Sequence, residues 1–156
     1  MSPRPLPWMK PGDLILFDLA MLPWPAYLRM VETYFQVNAM QLECRHDADN
    51  RASYQVYRDG EVQALLHCMH PRKPVALCDL GRLADELRAQ GLHRGYLFSP
   101  GCIASDVYLC AGDYNVDLYS GNKLRVRVEN LRVDQRRQVM DSICAKPGAA
   151  GHRPSP

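Results

Sequence analysis

RDGEVQALLHCMHPRKPV, residues 58–75, is the stretch on which the reading of the whole chain turns. Asp59-Gly60 is the strongest short hairpin signal in the sequence, because both central residues of a type I′ turn need positive φ. EVQALLHCM, 61–69, then runs as a largely apolar strand, the composition of a strand near the centre of a sheet. Its exit carries His67, Cys68, Met69 and His70, with no carboxylate or lysine among them.

Working outward, SYQVYR (53–58) is aromatic and β-branched and reads as the strand that enters the hairpin, with MQLEC (40–44) a short alternating strand before it. HDADNRA (46–52) reads as a polar loop between them. PAYLRMVETYFQ (25–36) places Leu28, Val31, Tyr34 and Phe35 on one helical stripe, with proline in the first turn. Downstream, VALCDLGRLADELRAQGL (75–92) sets Leu77, Leu80, Leu83, Ala84 and Leu87 on one face and ends on Gly91, a C′ glycine. RGYLFS (94–99) reads as a strand, CIASDVYLCAGD (102–113) as a short helix and NVDLYS (115–120) as another strand. Gly121-Asn122 reads as a turn into KLRVRVENL (123–131), where Leu124, Val126 and Val128 alternate with Arg125, Arg127 and Glu129 in the manner of a strand. DQRRQVMDSIC (134–144) closes as a helix. The order α-β-β-β-α-β-α-β-β implies an α/β (α+β) fold, a central mixed sheet flanked by helices on both faces.

Composition narrows the class. The chain has 156 residues, 47% hydrophobic and 23% charged, with a formal net charge of +2, which suits one globular domain and neither demands nor forbids a nucleic-acid partner. The longest apolar run, 14–28, is broken by Asp18, Pro23 and Pro25, so no membrane span is expected. Six scattered cysteines without CxxC spacing, and an N-terminus lacking an apolar h-region, lead to the expectation of a reduced, cytoplasmic protein. Domain organisation is read as a Pro-rich arm (1–24), a folded domain (25–144) and a disordered tail (145–156).

Three linked phrases add a family. DGEVQALLHCMHPRKPV, the helix over 75–90 with HRGYLFSPG after it, and CIASDVYLCAGDYNVDLYSGNKL together resemble the Mrr-type restriction endonuclease domain of the PD-(D/E)XK nuclease superfamily, over roughly residues 25–130. The resemblance implies a restriction-endonuclease-like fold. It also implies a metal-dependent site built from a carboxylate on the second strand with Gln or Glu and Lys two residues apart on the third, hence on one face. Here the second-strand position falls at Ser53 or Tyr54 and the third-strand pair at His67 and Met69. A thioether carries no charge and is a poor ligand for Mg²⁺ or Mn²⁺. The site as matched is degenerate and has no carboxylate. Asp47 and Asp49, on the loop, are the displaced candidates, with His67 and His70 completing a metal cluster in an active enzyme. Asp59 and Glu61 fall at the far end of the third strand from His67.

Other constellations carry weaker signals. His67, Cys68 and His70 could share a zinc or copper ion only if the strand ended there, since His67 and Cys68 point to opposite faces; the bland alternative has His67 and Met69 filling the cleft and Cys68 packing inward. A Cys68 or Cys102 nucleophile beside His67 or His93 has no local signature. Ser99-Pro100-Gly101 reads as a strand-to-helix turn. The cationic candidates for nucleic-acid contact are Arg72 and Lys73 after the third strand, and Lys123, Arg125, Arg127, Arg132, Arg136 and Arg137, with Arg125 and Arg127 on one strand face. The alternative for this last segment is a charged, solvated edge strand.

The function expected from these readings is a catalytically inactive nuclease-like domain that binds DNA or a nucleic-acid-processing partner, with no catalytic residue and no metal or other cofactor. Two alternatives stand beside it. One is an active Mg²⁺- or Mn²⁺-dependent DNA endonuclease with displaced ligands. The other is a protein–protein adaptor or inhibitor on the same scaffold, of a kind a bacterial mobile element would carry. The resemblance also implies a homodimer.

Overall fold

A computed structural model describes residues 19–48, 51–71 and 74–144. A 3-10 turn at Leu19–Met21 leads into α1 (Trp24–Val37). Three strands follow, β1 (Gln41–Ala48), β2 (Arg51–Arg58) and β3 (Glu61–Met69), then α2 (Leu77–Gln90), β4 (Gly95–Phe98) and α3 (Ser105–Ala111). A 3-10 turn at Gly112–Tyr114, β5 (Val116–Tyr119), α4 (Gly121–Glu129) and α5 (Val133–Cys144) complete the domain. The expected arm and tail lie largely outside the described residues, as do Asp49, Arg72 and Lys73.

The five strands run in the order β1-β2-β3-β4-β5. β1, β2 and β3 are antiparallel neighbours, while β4 and β5 add in parallel. The hairpin forms as its sequence dictates, with Asp59 at φ 54° and Gly60 at φ 80°. The parallel half needs crossovers, and α2 and α3 provide them. Two successive right-handed crossovers in one direction place both helices on the same face. Accordingly Leu80, Leu83 and Leu87 of α2 and Val107 of α3 form one core with Leu65, Met69 and Leu97. On the other face, Tyr27, Met30, Val31 and Phe35 of α1 pack with Leu124 and Val128 of α4, Val139 and Ile143 of α5, and Tyr54, Leu66, Cys68 and Phe98 of the sheet.

Local chemistry fixes the helix ends. The Asp79 carboxylate accepts the Ala76 N–H at 2.9 Å at the start of α2, and Gly91 takes the left-handed conformation, φ 67°, at its end. Gly95 lets α2 lie close on the sheet, because a Cβ there would come within 3.0 Å of Leu87 Cδ1.

Two local expectations are corrected. HDADNRA is not simply a loop, since 46–48 extends β1 and 51–52 opens β2. KLRVRVENL is not a strand, and Gly121-Asn122 is not a turn. Both lie in or run through α4, started by the Ser120 side chain, whose Oγ accepts the Lys123 N–H at 3.1 Å. In the helix Leu124 and Val128, four apart, are fully buried, while Val126 is 41% exposed. Arg125 and Arg127 therefore do not share a strand face, and the edge-strand explanation of their charges falls with the strand.

Candidate functional site

β2 and β3 bring the two degenerate positions together: Ser53 pairs directly with His67, and Tyr54 with Leu66. Because side chains alternate along a strand, Arg51, Ser53, His67 and Met69 share the α2 face, and Tyr54 and Cys68 share the α1 face. The two faces have different chemistry. On the α1 side, the Tyr54 hydroxyl donates to Glu32 Oε2 at 3.2 Å, and burial pushes the Cys68 thiol well above its ordinary pKa, with Glu32 and Cys44 adding to the rise. Cys68 is thus a packed, protonated thiol and not a nucleophile. His70 lies against the Trp24 ring, centroids 5.0 Å apart, so His67, Cys68 and His70 do not converge.

On the α2 side lies a cleft of about 330 Å³. Its floor is His67, 1% exposed, whose Nε2 lies 3.2 Å from Glu86 Oε1 on α2. The neutral ring donates this N–H to the carboxylate, which leaves Nδ1 buried and without a partner among the described residues. Burial holds His67 below its ordinary pKa; Glu86 opposes that fall, and Arg51 and Arg82 add to it. Ser53, Arg51, Arg45 and His46 line the walls, with Gln90 on α2 beside them. Arg45 reaches the cleft from an irregularity in β1, where the register passes from Cys44–Tyr54 to His46–Ser53 and leaves it without a ladder partner. Nε and Nη1 of Arg51 are shut off from solvent and have no partner among the described residues.

The family pattern, laid on this sequence, puts no carboxylate in the site, and among the described lining residues of the cleft the strands supply none; Glu86 enters from the helix. Asp47 pairs with Ala52 in the β1–β2 ladder, and Asp49 lies outside the described residues. Glu61 begins β3 at its opposite end, six residues before His67 and so roughly 20 Å away, and Asp59 lies beyond it in the turn. Among the described residues no group of three or more His, Cys, Asp or Glu side chains is placed to hold a metal ion. The donor set in the cleft does not fit the hard divalent cation of the family it resembles. The one carboxylate among its described lining residues, Glu86, is already bonded to the His67 ring, and two arginines, Arg45 and Arg51, line the same space.

The remaining cationic candidates in the described residues lie on α4, on α5 and, for Arg132, in the link between them, across the sheet from the cleft. Arg127 and Arg137 are exposed. Lys123 Nζ sits 4.4 Å from the centre of the Tyr119 ring. Arg125 bonds to Asn122 within its own helix, Arg136 Nη1 donates to the Glu129 carbonyl at 3.2 Å, and Arg132 pairs loosely with Asp134 at 3.5 Å. Ser99-Pro100-Gly101 forms the expected turn, with Ser99 Oγ accepting the Gly101 N–H at 3.1 Å. A Cβ on Gly101 would meet Pro71 backbone at 3.1 Å.

A meander of antiparallel strands continued in parallel by two helical crossovers, with the cleft against the third strand, is a restriction-endonuclease-like fold. Among solved structures the chain is similar to the DNA modification-dependent restriction endonuclease AspBHI, at 15% identity and a TM-score of 0.54, over 92% of this chain and 44% of that one. The MspJI restriction endonuclease in complex with a 27-mer oligonucleotide is also similar, at 16% identity and a TM-score of 0.48, over 97% of this chain and 39% of that one. The chain therefore spans less than half the length of either enzyme. No family model and no curated protein matches it.

Proposed function

We propose that the protein is a nuclease-fold domain that binds nucleic acid, DNA first among the candidates, without cutting it. The observation that carries this reading is the chemistry of the matched positions: where the resemblance implies a carboxylate on the second strand and a Gln or Glu with a lysine on the third, the sheet presents Ser53 or Tyr54, then His67 and Met69, and arginines line the cleft over Ser53 and His67. Metal-assisted hydrolysis needs oxygen ligands and a positioned base. Binding a phosphate backbone needs only fixed positive charge, which Arg45 and Arg51 supply in the cleft and Arg127 and Arg137 supply across the sheet.

The test is a supercoiled or labelled duplex incubated with protein in Mg²⁺ and in Mn²⁺, with binding followed in the same samples. Retention without scission supports the reading. Scission abolished by His67→Ala would establish instead a metal-dependent nuclease with displaced ligands. A second reading, a protein-binding adaptor, is favoured by one feature: Tyr108 and Leu109 of α3 are 51% and 82% exposed side by side. A protein of that kind shows no duplex affinity at low salt and keeps a partner in a pull-down that Leu109→Asp disrupts. The homodimer implied by the resemblance is tested by sedimentation of the same sample.

A further inference from the structure

We infer that the cleft beside β3 is a phosphate-binding site, in which Arg51 and the imidazole of His67 take the oxyanion directly. Three observations converge on it. First, Arg51 buries Nε and Nη1 with no acceptor for either among the described residues, and buried donors of a fixed cation are costly unless an acceptor meets them. Second, the floor of the same cleft is a fully enclosed imidazole whose Nδ1 is also unpaired among the described residues. The ring is held in place because its other nitrogen is tied to Glu86 at 3.2 Å. Third, the space of about 330 Å³ carries Arg45 on its wall, so the balance of charge among its described lining residues is cationic even with Glu86 counted.

A phosphate group satisfies all three. Its oxygens accept from the Arg51 guanidinium and from Arg45, and one further oxygen shares a single proton with His67 Nδ1, carried by either partner for a monoester and by the ring for a diester. Glu86 remains bonded to Nε2 and fixes the ring, acting as a positioning residue. The space is at the lower end of ligand-site volumes and suits one phosphate with its adjoining sugar. The biological source, a strand's terminal phosphate monoester or an internal phosphodiester, rests on the reading of the protein as a nucleic-acid binder; the phosphate chemistry does not.

Titration of inorganic phosphate into the full chain, followed by the His67 ring resonances and by calorimetry, tests the inference. The expected result is saturable binding with the His67 signals shifting, weakened at least tenfold in Arg51→Gln and in His67→Phe. Arg58→Gln, exposed at the hairpin end of β2 and away from the cleft, serves as the control and leaves it unchanged. Arms with 5′-phosphorylated and 5′-hydroxyl oligonucleotides locate the source. A preference of about tenfold for the phosphorylated strand, removed by Arg51→Gln, assigns the terminal group. Equal affinities, both reduced by Arg51→Gln, assign an internal phosphodiester. Phosphate binding without oligonucleotide binding upholds the site and overturns the nucleic-acid reading. Oligonucleotide binding indifferent to Arg51→Gln, with no phosphate effect on His67, overturns the site and leaves that reading standing.

Discussion

His67, near the end of the central strand, and Glu86, nineteen residues on in the following helix, meet at 3.2 Å. This contact sets the protonation chemistry of the cleft, because burial lowers the ring's pKa and Glu86 is the principal group raising it again. Replacing Glu86 with Gln keeps an acceptor near Nε2 and removes the charge. The His67 ring, followed by NMR, should then titrate at lower pH than in the wild type; an unchanged titration would show that the carboxylate does not act on the ring.

The same depressed pKa bears on stability. A histidine whose folded pKa lies below its unfolded value holds fewer protons when folded. Its stabilisation is complete above the unfolded pKa, about 6.5, and is lost as pH falls through the folded value. Urea midpoints of the wild type should therefore drop more between pH 7.5 and 5 than those of His67→Gln. Equal drops in the two proteins would contradict this assignment.

The cysteines divide by burial. Cys44, Cys78 and Cys102 are exposed and Cys68 is fully enclosed on the α1 face. A thiol reagent should modify the three exposed residues rapidly under native conditions and reach Cys68 only on unfolding. Native-state labelling of Cys68 at a comparable rate would count against the packing of β3 beneath α1.

Helix α4 starts on a side-chain cap. Ser120→Ala removes the oxygen that accepts the Lys123 N–H and should cost about 1 kcal/mol in chemical denaturation. No loss would argue that the segment does not begin a helix there.

Fold and site differ in how far they can be read from sequence, for physical reasons. Asp59-Gly60 marks the hairpin because its backbone demand is local, and the leucine stripe of α2 shows itself through a 3.6-residue period. α4 reads as a strand because Leu124, Val126 and Val128 satisfy a period of two as readily as Leu124 and Val128 satisfy a period of four. The signal that separates the two is Ser120, an N-cap residue just before what reads as a turn. In the cleft, His67 and Ser53 are reachable from strand pairing. Glu86 belongs to no motif, although Leu83, Glu86, Leu87 and Gln90 lie at i, i+3, i+4 and i+7, which puts Glu86 on the flank of the buried stripe. Arg51 sits in a polar run that reads as a loop, and Arg45 enters through a change of register that depends on how two strands pair; neither placement has a local signature.

Salt dependence decides most directly whether the cleft holds nucleic acid. Duplex binding is measured by fluorescence anisotropy across a salt series, for the wild type and for Arg45→Gln combined with Arg51→Gln. A phosphate-holding, non-cutting domain gives an affinity that falls linearly in log salt, with the duplex intact throughout in Mn²⁺. The double variant then shows a shallower slope, by about 0.9 for each phosphate it no longer neutralises. An unchanged slope in the variant, or no binding at low salt, would contradict the role assigned to the cleft.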